Sequence, residues 1–146
     1  MKESLKKEVR KRANNCCEYC LLQAKYSGES FSIEHIIPLI KGGSSILPNL
    51  AFSCQRCNNH KYTATQAVDP ATGSVVALYN PRTDIWLEHF EWREYFTEIN
   101  GISPSGRATV NRLKLNRDGL VNLRRVLVDA GLHPPQYNSH IWHKKP

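Results

Sequence analysis

The chain has 146 residues, 40% of them hydrophobic, and a formal net charge of +7 at pH 7. This length suits one domain with room for an extension, and no apolar run approaches the roughly 18–20 residues that a membrane helix needs. The charged amino terminus lacks the apolar segment of a secretory signal. We therefore expect a cytoplasmic protein without a membrane partner, and the positive charge favours a polyanionic partner.

The first segment predicts a short basic helix. Residues 2–15 are rich in lysine and arginine and carry Leu5 and Val9 four positions apart. This spacing places the two apolar side chains on one face of a helix. The basic face is expected either to lie along a phosphate backbone or simply to be solvated.

Four of the five cysteines form two Cys-x-x-Cys pairs, namely Cys17 with Cys20 and Cys54 with Cys57. In a reducing compartment this pattern favours a metal site over two disulfides. Four thiolates would surround Zn²⁺ and leave no open position for water, so the expected zinc ion is structural. Its binding would lower the net charge by two and leave the chain basic. The fifth cysteine, Cys16, is expected to pack as a small apolar residue.

The segment between and after the cysteine pairs predicts two strands and a helix. The expected elements are strands at 31–33 and 49–53, a flexible loop at 41–45 and a helix that begins near Asn58. The helix should end before Asp69, because a residue that precedes proline disfavours helical backbone.

Three polar residues of this segment have the chemistry that phosphodiester hydrolysis needs. The imidazole of His35 can act as a general base, and Glu34 and Asn58 offer the hard oxygen atoms that Mg²⁺ and Mn²⁺ prefer. Taken alone, a Glu-His pair is common on surfaces and Asn58 is well placed to cap a helix. Neighbouring strand residues point to opposite faces, so Glu34 and His35 must lie at a strand end or distortion to serve one site.

The combined pattern resembles the HNH endonuclease family, whose members have a ββα-metal fold. The resemblance covers roughly residues 10–65, and the joint spacing is far more specific than either cysteine pair. It is carried by Cys17-x-x-Cys20, Glu34-His35-Ile36-Ile37-Pro38-Leu39, Lys41-Gly42-Gly43, Asn49-Leu50, Cys54-x-x-Cys57-Asn58 and Lys61.

The resemblance implies a role for each matched polar residue. His35 would be the general base, Asn49 would orient it through the backbone, and Glu34 and Asn58 would hold the catalytic Mg²⁺ or Mn²⁺. The acid is more often aspartate in the family, so Glu34 is a mild departure. Asn58 stands where the family has histidine or asparagine.

Four basic or titratable side chains are candidates for DNA contact, namely Lys61, Arg56, Lys41 and His60. Lys61 lies three residues after Asn58 and therefore shares its helical face. His60 lies two residues after Asn58, so it faces about 200° away on a helix.

The second half predicts a mixed strand and helix extension. The expected elements are a turn at 69–73, a strand at 75–79, a strand with Trp86, Phe90 and Trp92 at even spacing, and a helix at 120–130. This half also resembles a segment that follows the HNH core in some bacterial relatives. It either shields the core or clamps DNA with Arg107, Arg112, Lys114, Arg117, Arg124 and Arg125.

We therefore expect an α+β protein with a small zinc-stabilised ββα-metal core and basic amino-terminal helix at 1–68, and a mixed strand and helix extension at 69–146 packed on that core. The expected function is metal-dependent hydrolysis of DNA by an HNH-type endonuclease, acting as a monomer or homodimer. The alternative is a zinc-stabilised nucleic-acid-binding module without catalysis. A thiol redox protein is disfavoured, because its βαβ unit is absent from the pattern.

Overall fold

The computed structural model describes residues 1–135, in which helices alternate with short antiparallel strand pairs. The helices are α1 (Glu3–Arg12), α2 (Gln55–Lys61), α3 (Trp86–His89), α4 (Pro104–Leu113) and α5 (Asp118–Asp129). The strands are β1 (Phe31–His35), β2 (Leu50–Cys54), β3 (Gln66–Val68), β4 (Val75–Ala77), β5 (Phe90–Arg93) and β6 (Glu98–Gly101). This mixture confirms the α+β class. Residues 136–146, part of the expected extension, lie outside the described residues.

The basic amino-terminal helix is confirmed as α1. Glu3 lies in its first turn and three cations lie in its last turn, an order that complements the helix dipole. Val9 is fully buried against Leu50 and Phe52 of β2. Arg12 secures the end of the helix, because its guanidinium donates to the carbonyl oxygen of Leu50 at 2.8 Å.

The predicted two strands and helix are present as β1, β2 and α2. Strands β1 and β2 pair antiparallel with His35 opposite Leu50 and Glu34 opposite Ala51. The Sγ of Cys54 accepts a bond from the backbone N–H of Cys57 at 3.4 Å and so caps the first turn of α2. This cap joins the second cysteine pair directly to the helix that carries Asn58.

The predicted end of α2 is too late in the chain. The helix ends at Lys61, because Tyr62 has a positive φ of 53° that cannot continue a right-handed helix. Residues 66–68 instead form β3, which pairs with β4. The predicted turn at 69–73 connects these two strands, and the side chain of Asp69 accepts from the backbone of Ala71 at 3.0 Å.

The strand predicted from the even spacing of three aromatic residues is only partly correct. Residues 86–89 form the one-turn helix α3, and the strand begins at Phe90. Trp86 is fully buried, its Nε1 donates to the carbonyl oxygen of Tyr19 at 3.0 Å, and its ring contacts those of Phe90 and Trp92. Tertiary packing of the indole, not strand alternation, therefore explains the spacing.

The predicted carboxyl-terminal helix is confirmed as α5. Leu120 and Leu127 are buried on one face. The chain leaves the helix through Gly131, which has a positive φ of 74° that favours glycine.

The main hydrophobic cluster contains residues from both halves of the chain. Cys17 and Tyr19 belong to it together with Trp86, Leu113 and Leu120. The second half thus completes the core around the cysteine pairs, and the boundary at residue 68 stays a prediction. Among residues 1–135 there is no helix with the length and apolar character needed to cross a membrane.

Candidate active site and metal centre

The two cysteine pairs meet in one buried cluster. The ligand atoms of Cys17, Cys20, Cys54 and Cys57 all lie within 4.8 Å of one another, and Cys20 Sγ lies 3.8 Å from Cys54 Sγ. Burial raises the pKa of the Cys17 thiol, so several thiolates can exist together here only beside a compensating cation. The four sulfur atoms fit a tetrahedral metal ion such as zinc.

Arg117 contributes a positive charge to this cluster from the second half of the chain. Its Nη2 donates to Cys54 Sγ at 3.4 Å, and its Nη1 donates to Cys57 Sγ at 3.6 Å. From the sequence, Arg117 is a candidate only for the DNA clamp. Nothing in the local sequence predicts its contact with the cysteines, because the partners lie 60 and 63 positions apart in the chain.

Glu34 lies in β1 with its carboxylate almost entirely buried. Tyr19 donates its hydroxyl to Oε1, and Lys61 Nζ lies 3.2 Å from Oε2. Burial raises the pKa of Glu34, while the charge of Lys61 and the bond from Tyr19 act in the opposite direction. Tyr19 is a further site residue that the sequence does not predict, because its position inside the first cysteine pair does not indicate where its hydroxyl points.

Lys61 is an internal partner of β1. It is 2% exposed, and its ammonium group also donates to the carbonyl oxygen of Ile36 at 3.0 Å. This placement differs from the expected DNA contact, because a buried and ion-paired ammonium group does not face a phosphate. The position instead joins the end of α2 to the end of the strand that carries Glu34 and His35.

His35 is the last residue of β1, and its ring nitrogen Nε2 lies 2.8 Å from the hydroxyl of Ser45. Glu34 and His35 thus lie at a strand end, as expected, with Glu34 buried and His35 half-buried. Ser45 was not among the expected site residues, because a serine in a Gly-Ser loop gives no signal of its partner.

Asn49 secures the loop between β1 and β2. Its Oδ1 accepts from the backbone N–H of Ile37 at 2.8 Å, and its Nδ2 donates to the carbonyl oxygens of Ile37 and Ser44, each at 2.9 Å. Ser44 directly precedes the serine that contacts His35. Asn49 therefore holds the backbone on both sides of the histidine contact.

Gly43 allows the same loop to close tightly. A Cβ atom at this position would lie 1.7 Å from the carbonyl oxygen of Ile37 and 2.8 Å from Asn49 Nδ2. No side chain fits at that distance. Steric crowding therefore requires glycine at position 43. Gly42 is not enclosed in this way, since nothing lies within 4 Å of a Cβ at that position.

A comparison with protein families matches the same segment of the chain. Residues 17–64 match the model of the family described as HNH endonuclease. These residues form an HNH endonuclease domain. The match contains all four clustered cysteines and the whole β1–β2–α2 unit, and it confirms the predicted family.

The HNH domain also has a curated relative. The chain is 28% identical over 133 residues to the Septu protein PtuB of Bacillus thuringiensis, an alignment that covers 86% of this chain and 47% of that protein. The chain thus spans about half the length of the curated relative it matches. No solved structure gives a significant match.

The remaining candidates of the HNH domain lie on or near α2. Asn58 is half-buried one turn before Lys61, and Arg56 is exposed with its Nε 3.4 Å from Glu29 Oε1. Lys41 is exposed in the loop after β1. Arg56 and Lys41 are thus accessible to a large ligand.

His60 lies on the side of α2 that faces the second half of the chain. Its pKa is lowered by burial and then by the nearby charges of Arg117, Lys114 and Arg56. Cations from α2 and from the end of α4 thus converge around this histidine.

Proposed function

We propose that the HNH domain hydrolyses DNA phosphodiester bonds with a divalent metal ion and with His35 as the general base. The observation that carries this proposal is the secured position of His35. The imidazole contacts Ser45, and the loop that presents Ser45 is held by three hydrogen bonds of Asn49. A nuclease base needs such a fixed ring, because proton transfer depends strongly on geometry.

The proton of the attacking water passes to Nε2 of His35 in this proposal. That nitrogen lies on the solvent side of the ring, beside the exposed Ser45 hydroxyl. Because neutral Nε2 has one lone pair, the attacking water would take the place of the Ser45 hydroxyl at this nitrogen, and the hydroxyl can accept from the protonated ring afterwards. Asn49 acts as a positioning residue, since it touches the backbone and not the reacting atoms.

Glu34 and Asn58 are the proposed ligands of the catalytic ion. Asn58 lies one turn before Lys61 on the same face of α2, and Lys61 reaches the Glu34 carboxylate. Carboxylate and amide oxygens fit Mg²⁺ or Mn²⁺. When bound, such an ion supplies charge stabilisation at the phosphate and the leaving oxygen.

The cysteine cluster has a separate role in this proposal. We infer that it holds zinc, because four sulfur ligands suit zinc and leave no position for water. The ion is therefore structural and takes no part in hydrolysis. It connects the first cysteine pair to the cap of α2, and so it supports the helix that carries Asn58.

One observation favours a binding module without catalysis. The Glu34 carboxylate already contacts Tyr19 and Lys61, so a divalent ion would have to compete with the ammonium group. If that ion pair is permanent, the domain would bind nucleic acid and leave it intact.

Supercoiled plasmid separates the two functions. Wild-type protein with confirmed zinc content is incubated with Mg²⁺, with Mn²⁺ and without added divalent ion. Nicked or linear product that requires the added ion supports the nuclease. Plasmid that is bound but intact under all three conditions supports the binding module.

A further inference from the structure

The carboxyl-terminal ends of α2 and α4 lie together and form an exposed basic surface. Arg112 Nη2 donates to the carbonyl oxygen of Lys61 at 3.4 Å, which joins the two helix ends. We define the α2–α4 surface by the side chains of His60, Arg112 and Lys114. Arg112 and Lys114 are exposed, and His60 is half-buried between the helices.

Positive charge on this surface is not neutralised nearby. Arg112 and Lys114 form no ion pair within residues 1–135. Both side chains are exposed, so their charge is accessible to a polyanionic ligand.

The backbone of Lys114 gives a second reason to assign a role to its charge. Lys114 ends α4 in the left-handed conformation, with φ of 52° and ψ of 56°. Glycine is the usual residue at this position of a helix end, because it adopts the conformation without strain. A lysine here accepts strain that glycine would avoid and places an ammonium group beside α2.

The surface is close to the proposed active site. Asn58 and His60 belong to the same seven-residue helix, which is only about 10 Å long. His60 faces away from Asn58 on this helix, so a DNA strand held at Asn58 would pass the end of α2 to reach the α2–α4 surface, a path of a few nucleotides.

We propose that the α2–α4 surface binds the phosphate backbone of the DNA strand that runs from the cleavage site, with Arg112 and Lys114 as the phosphate contacts. This inference rests on the proposed function, because it takes DNA as the substrate. It gives the second half of the chain a share in substrate binding. It differs from the clamp considered from the sequence, since Arg124 is 1% exposed and Arg117 contacts the cysteine cluster.

Salt dependence of DNA binding tests this proposal. The full chain with His35→Ala is titrated into a labelled duplex without added divalent ion, and fluorescence anisotropy is followed at several salt concentrations. Each phosphate contact contributes about 0.9 to the slope of log affinity against log salt. Arg112→Gln with Lys114→Gln should lower the slope by about two and weaken binding roughly tenfold near 0.15 M salt.

A matched pair controls for net charge. Arg93→Gln with Lys25→Gln removes the same charge from two exposed side chains outside this surface, which contact Glu91 and the Tyr26 ring respectively. This pair should leave the slope unchanged. Because Arg112 also bonds Lys61, Lys114→Gln alone should lower the slope by about one with no change in the melting temperature.

Two results would overturn the proposal: an unchanged slope in the Arg112 and Lys114 variants, or equal losses in both double variants. The readout does not depend on cleavage. Wild-type protein that never cleaves plasmid, yet shows the expected difference between the double variants, would refute the proposed function and support this surface. Wild-type protein that cleaves, with binding unaffected in every variant, would refute the surface alone.

Discussion

The guanidinium group of Arg117 donates to the Sγ of Cys54 across the boundary between the two halves of the chain, at 3.4 Å. The same group reaches Cys57 at 3.6 Å and the carbonyl oxygen of Lys114 at 3.2 Å. A four-thiolate zinc site has a net charge of −2, so an arginine beside it reduces the cost of burial. The second half thus contributes a cation to the cysteine cluster as well as side chains to the core.

Substitution of Arg117 should weaken the hold on the metal. Arg117→Leu removes the donors to two sulfur atoms and is expected to speed zinc transfer to a chromogenic chelator by about 10- to 100-fold, the range for outer-shell partners of metal ligands. Arg125→Leu is the control, because Arg125 is exposed and contacts Asn122. Equal transfer rates in the two variants would show that Arg117 does not support the metal centre.

The cysteine cluster should be necessary for folding. Cys54→Ser removes one ligand and the cap of α2, and we expect loss of bound zinc and of the cooperative melting transition. Cys16→Ser is a matched control, because Cys16 is 2% exposed but lies outside the cluster. Metal analysis and thermal melting measure these two effects. A Cys54→Ser protein that melts like Cys16→Ser would contradict a structural role for the metal.

Gly43→Ala should disturb the loop that positions His35. The new methyl group would lie 1.7 Å from the carbonyl oxygen of Ile37, so the loop must move at a cost of about 1–3 kcal/mol. We expect a lower melting temperature and loss of cleavage. The control is Gly28→Ala, because no atom lies within 4 Å of a Cβ at Gly28. It should leave the melting temperature and cleavage unchanged. Equal effects of the two substitutions would contradict tight packing around Gly43.

His133 should make the protein less stable in mild acid. Burial lowers the pKa of His133 to about 4, below the usual value of about 6.5 for an unfolded chain. The unfolded state therefore binds more protons between these values, and stability falls as the pH is lowered through this window. The expected loss between pH 7 and pH 5.5 is about 1 kcal/mol.

Denaturant unfolding at both pH values measures this effect. His133 stacks edge-on against Trp92, so His133→Phe retains an aromatic ring while removing the titration. The variant should lose less stability than wild type over this pH range. Equal losses would assign the pH dependence to other groups.

Local patterns explain which parts of the structure could be predicted from the sequence. The four-residue spacing of Leu5 and Val9 predicts α1, and the Cys-x-x-Cys spacing predicts the metal cluster, because both depend on neighbours in the chain. The helix at 120–130 is likewise predicted from the spacing of its apolar residues. The pattern from Cys17 to Lys61 likewise predicted the HNH family, since its spacing is set by one small unit.

The missed features depend on contacts between distant residues. Tyr19 meets Glu34 from inside a cysteine turn, and Arg117 reaches Cys54 from the start of α5. Trp86 lies in a helix because its indole fills the core. Lys61 is charged and suggests a surface position, yet its partner Glu34 makes a buried position possible. All of these pairings join residues that are distant in the chain, and those of Trp86 and Arg117 form only when the second half folds onto the first.

Plasmid cleavage by His35→Ala is the sharpest test of His35 as the base of a nuclease. We expect the variant to cleave supercoiled plasmid at least about 100-fold more slowly than wild type with Mg²⁺ or Mn²⁺, since a general base contributes about 10²–10⁴-fold. Duplex binding, zinc content and melting temperature should stay near those of wild type. The control is His89→Gln, which replaces a histidine outside the HNH domain, and this variant should cleave plasmid like wild type. Cleavage by His35→Ala at the wild-type rate would show that His35 is not the general base.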